Sequence, residues 1–255
     1  RVDLRSFRAY SPKRELSLSN PVAHFAKREL TFPKALLGYT PPEKREKIDA
    51  EPHPATPLIG DIPASYLEAE SLHLSPLDFK SHGQLLTAFK AASVKYITLD
   101  PSSQYMAPHH REDLRLFLDG LTAFMPSEEE IKQLFWGDTH NIWEMAEELG
   151  SFGCPFILIK RGNQGQLLYE TDAKKRWELP AYTARVADPT GAGDAFCGGF
   201  LAGLQKTNDA LQAAAHGNVS ASLSMEGSGP FYPTEVLPGL AEARLKALFD
   251  LIQEV

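Results

Sequence analysis

A glycine-rich turn leads into an apolar helix at Asp188-Pro189-Thr190-Gly191-Ala192-Gly193-Asp194. Two glycines spaced two apart leave the backbone bare where the helix starts, so the amides of residues 191–193 are placed to point at one anion, which the helix dipole also favours. Asp194 follows on the first helical turn, where a carboxylate is placed to accept a proton. The alternative is a structural turn that enters a helix of small residues, with Asp194 an ordinary N-terminal acid. The spacing alone leaves both interpretations open.

Strands and helices alternate over the residues that precede this turn. The apolar pattern predicts strands at 71–75, 96–99, 121–125 and 156–160, and a hairpin at 166–169 and 176–179. It predicts helices at 79–92, 111–120, 127–134 and 141–150, and two more after the turn at 192–204 and 209–224. This alternation indicates an α/β fold with a mainly parallel sheet and helices on both faces. In such sheets, ligands bind at the carboxyl ends of the strands.

The composition limits the class of protein. The chain has 255 residues, of which 43% are hydrophobic and 23% are charged, which is enough for one large α/β domain. The formal net charge of −7 argues against a nucleic-acid binder. No apolar run has the length of a membrane span, residues 1–10 lack the apolar core of a secretory signal, and Cys154 and Cys197 form no C-x-x-C framework. We therefore expect a cytoplasmic protein with no membrane or nucleic-acid partner.

Residues 1–60 differ in texture from the rest of the chain. They are rich in proline and charge, with short strands predicted at 6–10 and 15–19 and an exposed loop or linker at 41–57. The regular pattern begins near residue 61. We therefore divide one overall domain into a loop-rich segment, 1–60, and an α/β core, 61–255.

The turn at 188–194 resembles the C-terminal signature of the ribokinase-like (PfkB) carbohydrate kinase family almost letter for letter. Five further blocks resemble the family in order and spacing, and the resemblance covers roughly residues 60–255. The blocks are residues 72–76, Leu99-Asp100-Pro101, Met125-Pro126-Ser127-Glu128-Glu129-Glu130, Ile159-Lys160-Arg161-Gly162-Asn163-Gln164-Gly165 and residues 216–229. Residues 179–182 and 217–222 are similar to a divergent branch that includes fungal Mak32-like proteins. The resemblance implies a ribokinase-like three-layer α/β/α fold with a small β lid.

The resemblance also implies a site. Asp194 would be the catalytic base, and the amides of Gly191, Ala192 and Gly193 would form the anion hole, with ATP as donor and a small sugar or nucleoside as acceptor. The residues implied on the nucleotide side are Lys160, Gly162, Gly165, His216 and Asn218. The alternatives are a solvated Lys160 beside Arg161, which the sequence slightly favours, and a surface or packed His216.

Two cation sites are implied in the same way. Glu130 matches the family's Mg²⁺-orienting glutamate, although Ser127 stands where asparagine is usual; a Ser127–Glu130 capping box explains the pair equally well. Some family members bind a monovalent cation such as K⁺ where Asp188, Thr190 and Gly227 lie here. The alternative for Asp188 is a turn-capping aspartate before Pro189.

The family's N-terminal strand, substrate-binding aspartate and Gly-Gly-x-x-x-Asn block have no match in this sequence. Residues 1–30 resemble the lid strands that follow those elements, so we expect the natural protein to be longer. A non-catalytic relative that binds nucleotide or sugar in a regulatory or assembly role is the alternative function. Kinases of the hydroxymethylpyrimidine or pyridoxal type fit less well, because they usually carry a Gly-Thr-Gly-Cys turn. A homodimer is the assembly that the resemblance allows.

Overall fold

The computed structural model describes Phe7 and residues 9–10, 16–17, 21–39 and 56–255. The chain divides into two compact units, Arg1–Pro54 and Ala55–Val255. In the first unit, β1 (Ala9–Tyr10) pairs antiparallel with β2 (Leu16–Ser17), which places strands within both predicted segments, and α1 spans Pro21–Lys27. Residues 41–55 of the predicted linker at 41–57 lie outside the described residues. The interpretation of residues 1–30 as lid strands stays a prediction.

The second unit contains a seven-stranded sheet in the order β3-β4-β5-β6-β7-β8-β9. Neighbouring strands from β3 to β6 are parallel, and β7, β8 and β9 extend the sheet by antiparallel pairing. The strands are β3 (Ser71–Leu74), β4 (Tyr96–Leu99), β5 (Ala123–Phe124), β6 (Phe156–Lys160), β7 (Gln166–Glu170), β8 (Lys175–Leu179) and β9 (Gln253–Glu254).

Helices cover both faces of this sheet. Along β6, Ile157 and Ile159 pack into one core cluster and Leu158 packs into another, as the two-residue period of a strand requires. The first cluster is completed by α2 (Phe79–Ala91), α3 (Arg115–Leu118), α4 (Glu128–Leu134) and α5 (Ile142–Gly150). The second is completed by α6 (Ala192–Thr207) and α7 (Ala210–Ser224). The predicted three-layer α/β/α architecture is confirmed.

The predicted helix at 111–120 is wrong over most of its length, because only Arg115–Leu118 is helical. Before it, a 3₁₀ turn spans Pro108–His110, and the amides of residues 115–117 each bond to a carbonyl three residues back. Arg111 is held by Glu148 and Asp138. These ion pairs and the tighter hydrogen bonds replace a regular α-helical turn.

The last helix, α8 (Leu240–Phe249), packs against α7 through a small apolar cluster that includes Val219, Leu223 and Leu248. A further 3₁₀ turn spans Tyr232–Glu235, between α7 and α8. The sequence patterns predicted neither α8 nor β9. No helix within the described ranges is both long and apolar enough to cross a membrane.

Candidate active site

Three polar residues, among them the predicted site residue Lys160, lie at the carboxyl ends of the parallel strands. Asp100 directly follows β4, Ser127 lies just beyond β5, and Lys160 ends β6. The Lys160 amide donates to the Pro126 carbonyl at 2.9 Å, and the Asp100 amide donates to the Leu74 carbonyl at 2.9 Å. Because β3 to β6 run parallel, the residues that follow them share one edge of the sheet.

The glycine-rich turn caps α6. Gly191, at φ +78° and ψ 4°, is its N-cap, a left-handed conformation that glycine adopts without steric cost. The first α-helical hydrogen bond runs from the Ala195 amide to the Gly191 carbonyl at 2.8 Å. Within the described chain, the amides of Gly191, Gly193 and Asp194 donate to no other backbone group, as expected for a helix start. A Cβ on Gly193 would meet nothing within 4 Å, so the space beside these amides is open.

Ala192 differs from the sequence prediction, which assigned its amide to the anion hole. In the structure that amide donates to the carbonyl of Pro189 at 3.2 Å. The turn is closed by this bond three residues back, so the Ala192 amide is engaged within the turn itself. Asp194 lies on the first turn of α6 and is exposed. Its carboxylate has no hydrogen-bond or ion-pair partner among residues 56–255.

Lys160 lies in the interior and forms an ion pair with Asp100; the two side chains are 16% and 8% exposed. The alternative of a solvated Lys160 is therefore wrong. Cys197 lies beside the pair, with its Sγ 3.7 Å from Asp100 Oδ2 and 3.9 Å from Lys160 Nζ. Cys197 is three residues after Asp194, so the pair lies against the N-terminal end of α6.

The electrostatics of this pair follow from its burial. Burial raises the pKa of Asp100 to about 6, against the opposing effect of Lys160. Burial alone would lower the pKa of Lys160, but the neighbouring acidic groups outweigh it, and that pKa is raised. Burial also raises the pKa of the Cys197 thiol to about 12, so this thiol is neutral at pH 7. Asp100 is therefore the group that keeps Lys160 charged.

The sequence prediction did not include Asp100 or Cys197 in the site. The available signals were the position of Asp100 directly after a fully buried strand and the position of Cys197 one turn beyond Asp194. Neither signal names a partner, because Asp100 is 60 residues from Lys160 in the chain.

Ser127 and Glu130 form the capping box that was one of the two interpretations. The Glu130 amide donates to Ser127 Oγ at 3.2 Å, while Glu130 Oε2 accepts from the Ser127 amide and hydroxyl, each at 2.8 Å. The described residues contain no group of three or more acidic, histidine or cysteine side chains that could hold a metal ion. Mg²⁺ commonly binds through one carboxylate together with substrate phosphates. Glu130, with its second oxygen outside the capping box, fits such a partial site.

Gly162 and Gly165 form the turn between β6 and β7. Gly165 has φ +88°, and a Cβ there would overlap the carbonyl oxygen of Leu179, so this position requires glycine. Gly162 has φ +57° and open surroundings. The turn therefore leaves an open backbone at Gly162 next to Lys160, on the strand-end side where the nucleotide was predicted.

Asn218 and His216 lie on α7 and are used in packing. The Asn218 side chain is buried and bonds to Gln166 Oε1 (2.9 Å), the Pro180 carbonyl (2.7 Å) and the Tyr182 amide (2.9 Å). His216 packs against α6. A Cβ added at Gly203 of α6 would lie only 2.8 Å from the Cβ of His216. The packed-residue alternative for His216 fits this contact, and its role in nucleotide binding stays a prediction.

Asp188 makes the turn-capping bond that was its alternative interpretation. Its Oδ1 accepts from the Thr190 amide at 2.9 Å and its Oδ2 accepts from the Ser228 hydroxyl at 3.4 Å. The Thr190 hydrogen bonds lower the pKa of Asp188. Gly227 lies so close to the ring of Tyr232 that a Cβ would overlap it. Asp188, Thr190 and the loop of Gly227 are thus brought together, and K⁺ binding there stays a prediction.

Two histidines with internal hydrogen bonds, one on α2 and one on β3, were missed by sequence reasoning. His82 is fully buried and bonds to the Tyr105 hydroxyl at 2.8 Å and the Ser75 carbonyl at 2.9 Å. His73 Nδ1 bonds to Thr98 Oγ1 at 2.9 Å. Burial lowers the pKa of His73 to about 4, and the charge of Lys160 adds to this effect. His73 is therefore neutral at pH 7 and lies in the field of the Lys160–Asp100 pair.

Comparison with known proteins decides the family. The model of the pfkB family carbohydrate kinases matches residues 50–236, which include the turn, the strand ends and α7. The chain belongs to the pfkB family of carbohydrate kinases. This confirms the resemblance read from residues 60–255, whereas its finer placement in a divergent branch stays a prediction.

Individual pfkB relatives match part of the chain. A cytidine kinase from Thermococcus kodakarensis is 31% identical over 147 residues, 57% of this chain and 51% of the relative. An uncharacterized sugar kinase from Archaeoglobus fulgidus is 31% identical over 133 residues, 52% of this chain and 51% of the relative. The chain thus spans about half the length of these curated relatives.

Solved structures show the same fold. An E. coli protein provisionally named ribokinase II matches with a TM-score of 0.61 and 25% identity over 75% of this chain and 64% of that chain. A structure of the same name in complex with ATP and Mg²⁺ matches with a TM-score of 0.59 at 24% identity, over 74% of this chain and 62% of that chain. A nucleoside kinase from Methanocaldococcus jannaschii matches with a TM-score of 0.55 at 24% identity, over 70% and 56%. The predicted ribokinase-like fold is thereby confirmed.

Proposed function

We propose that the protein transfers the terminal phosphoryl group of ATP to a hydroxyl of a sugar or nucleoside. The observation that carries the proposal is the exposed Asp194 carboxylate beside the unpaired amides that start α6. Membership of a carbohydrate kinase family supports it. One relative is named a cytidine kinase and another a sugar kinase, so the names support a sugar and a nucleoside equally as the acceptor.

In the proposed reaction, Asp194 accepts the proton of the acceptor hydroxyl as its oxygen bonds to the terminal phosphorus. The bond from that phosphorus to the bridging oxygen breaks, and ADP leaves with the electron pair. The phosphoryl group carries negative charge on its outer oxygens during transfer. Amides of Gly191 and Gly193 donate to these oxygens, and because they are fixed by the turn, they need no reorganisation.

Charge compensation comes from two further groups. Lys160 supplies a buried positive charge against α6, and its ion pair with Asp100 keeps it ionised. Mg²⁺, when bound, would neutralise nucleotide phosphates, and Glu130 is the carboxylate that would hold it together with those phosphates. Gly162 and Gly165 provide the open turn on the nucleotide side. His216 and Asn218, both on α7, are the two further residues that we propose on the nucleotide side.

We also propose a monovalent cation site and an assembly state. K⁺ would bind at the turn formed by Asp188, Thr190 and the Gly227 loop, where Asp188 supplies the negative charge. We propose that the protein forms a homodimer in the cytoplasm and has no nucleic-acid or membrane partner. Size-exclusion chromatography and activity measured with K⁺ or Na⁺ test these points separately.

A non-catalytic nucleotide or sugar binder is the second candidate, and the capping box favours it. Glu130 commits one oxygen to two hydrogen bonds from Ser127, where the family usually has asparagine. An ATP-consumption assay over a panel of sugars and nucleosides, run beside thermal shifts with the same compounds, separates the two. Turnover supports the kinase. Binding of nucleotide and acceptor without turnover supports the second candidate.

A further inference from the structure

The segment that leads into the catalytic turn contains neither helix nor strand between Pro180 and Thr190. Its position therefore depends on the groups that hold it. At its start, the Asn218 side chain accepts from the Tyr182 amide and donates to the Pro180 carbonyl. At its end, the Met225 carbonyl accepts from the Ala187 amide at 2.8 Å and from the Asp188 amide at 3.2 Å. Both anchors belong to α7 or to the residue that follows it.

Arg244 connects these two anchors from α8. Its side chain is 8% exposed; Nη1 donates to Ser222 Oγ at 2.9 Å and Nη2 donates to Glu226 Oε2 at 2.7 Å. Its guanidinium also lies 4.9 Å from the centre of the Tyr182 ring. Glu226 directly follows Met225, whose carbonyl holds the turn. One buried cation thus contacts both the start of the segment and the residue next to its final anchor.

The cost of burying Arg244 argues for a specific role. Its Nε is buried and has no hydrogen-bond partner in the described part of the chain, which opposes folding. An apolar side chain would pack α8 against Val219 and Leu223 of α7 without this cost. Arg244 also lies beyond residues 50–236, the stretch that the family model matches. The guanidinium fixes the positions of Glu226 and Tyr182, which an apolar side chain would not do.

We propose that Arg244 is a positioning residue for the catalytic turn. It holds Glu226 and Tyr182, and through them it fixes the Met225 carbonyl and the backbone of 182–188, which sets where Gly191 and Asp194 stand. The structural part of this proposal is independent of the enzyme's chemistry. Its catalytic consequence rests on the proposed kinase function.

Hydrogen exchange tests the structural part directly. In Arg244→Met, which keeps an apolar stem but loses the charge, the amides of Ala187 and Asp188 should exchange about tenfold faster or more, because local opening becomes easier. The amides of β6 should keep their protection. Arg176→Met is the matched control, since Arg176 also pairs with a carboxylate, Glu147, and lies over an aromatic ring, Trp143. This control should leave the Ala187 and Asp188 amides unchanged.

Glu226→Gln is the second variant, and it decides the case if Arg244→Met fails to fold. It removes the charge of the partner and leaves Arg244 in place, so faster exchange confined to Ala187 and Asp188 supports the proposal. Unchanged exchange at these two amides in the variants overturns it. Equal acceleration at the β6 amides also overturns it, because Arg244 would then stabilise the whole unit rather than the turn.

Kinetics test the catalytic consequence. In Arg244→Met, kcat should fall about tenfold or more because the base and the anion hole are misplaced, while KM for ATP changes by less. Arg244→Lys, which keeps the charge near Glu226, should restore part of kcat. Equal loss in kcat in the Lys and Met variants, with wild-type exchange at Ala187, contradicts the proposal. If the wild-type protein shows no turnover, the proposed function fails, while the exchange experiment still stands.

Discussion

The ammonium group of Lys160 and the carboxylate of Asp100 form an ion pair between the ends of β6 and β4, two strands separated in the sheet by β5. Both groups lie within 4 Å of Cys197 Sγ on α6. The pair joins the sheet edge to the helix that carries Asp194. It therefore matters both for the stability of the core and for the charge of the site.

Lys160→Met should lower the free energy of unfolding by about 3 kcal/mol, because the buried Asp100 carboxylate loses its cation. The double variant Lys160→Met/Asp100→Asn should recover most of this loss, since no uncompensated charge remains. Lys132→Met removes an exposed pair with Glu128 and should change the unfolding free energy by less than about 0.5 kcal/mol. Urea denaturation at pH 7.5 measures all three. A double variant as unstable as the single one would show that the ion pair is not the cause.

The lowered pKa of His73 should make the free energy of unfolding depend on pH. Its pKa is lowered to about 4 in the folded protein, from 6.5, by burial and by the charge of Lys160. Between these values the unfolded chain binds a proton that the folded protein does not. His73 therefore contributes stability that is present above pH 6.5 and is lost as pH falls toward 4, by at most about 1.4 kcal/mol per pH unit.

The measurement is the difference between the wild-type protein and His73→Gln, followed by urea denaturation from pH 7.5 to 4.5. The comparison with the variant is needed because Asp100, with its pKa raised to about 6, contributes with the opposite sign below pH 6. The wild-type protein should lose more stability than the variant as the pH falls. Parallel curves would mean that folding leaves the pKa of His73 unchanged.

Gly193 and Gly198 offer a matched pair of substitutions on α6. A Cβ at either position meets nothing within 4 Å, so alanine should fold normally and even stabilise the helix by about 0.5–1 kcal/mol. At Gly193 the added methyl group enters the space beside the unpaired amides. Gly193→Ala should weaken ATP binding about tenfold or more, the loss of one hydrogen bond to a charged group. Gly198→Ala should bind ATP as the wild-type protein does.

Isothermal titration calorimetry measures the two affinities, and thermal denaturation verifies the fold of each variant. Similar ATP affinities in the two alanine variants would place the phosphates away from the start of α6.

Local features of this structure could be predicted from the sequence because their partners are near in the chain. The Ser127–Glu130 capping box joins residues three apart, and the Asp209 cap of α7 accepts from the Gln212 amide at 2.9 Å. The strands β3 to β8 and the three-layer architecture followed from apolar periodicity, which burial in the sheet preserves. The turn at 188–194 was identified by its glycine spacing and by family resemblance together.

Features that depend on distant partners could not be predicted. The burial of Lys160 requires Asp100 and the face of α6, neither of which periodicity locates. The 111–120 segment has helical spacing, but Arg111 is drawn to Glu148 and Asp138 from other elements. Similarly, α8 presents a weak apolar pattern because one of its two buried residues is the charged Arg244, whose role depends on contacts with Tyr182 and Glu226.

The kinetic constants of Asp194→Asn test the central claim most directly. We expect kcat for the acceptor that the panel assay identifies to fall about 100-fold or more, the contribution of a general base. The ATP affinity should stay within about threefold of the wild-type value, because the amides of α6 remain. Asp172→Asn, an exposed aspartate in the β7–β8 turn, is the control and should match the wild-type protein. Turnover in Asp194→Asn within a few-fold of the wild-type rate would contradict the account.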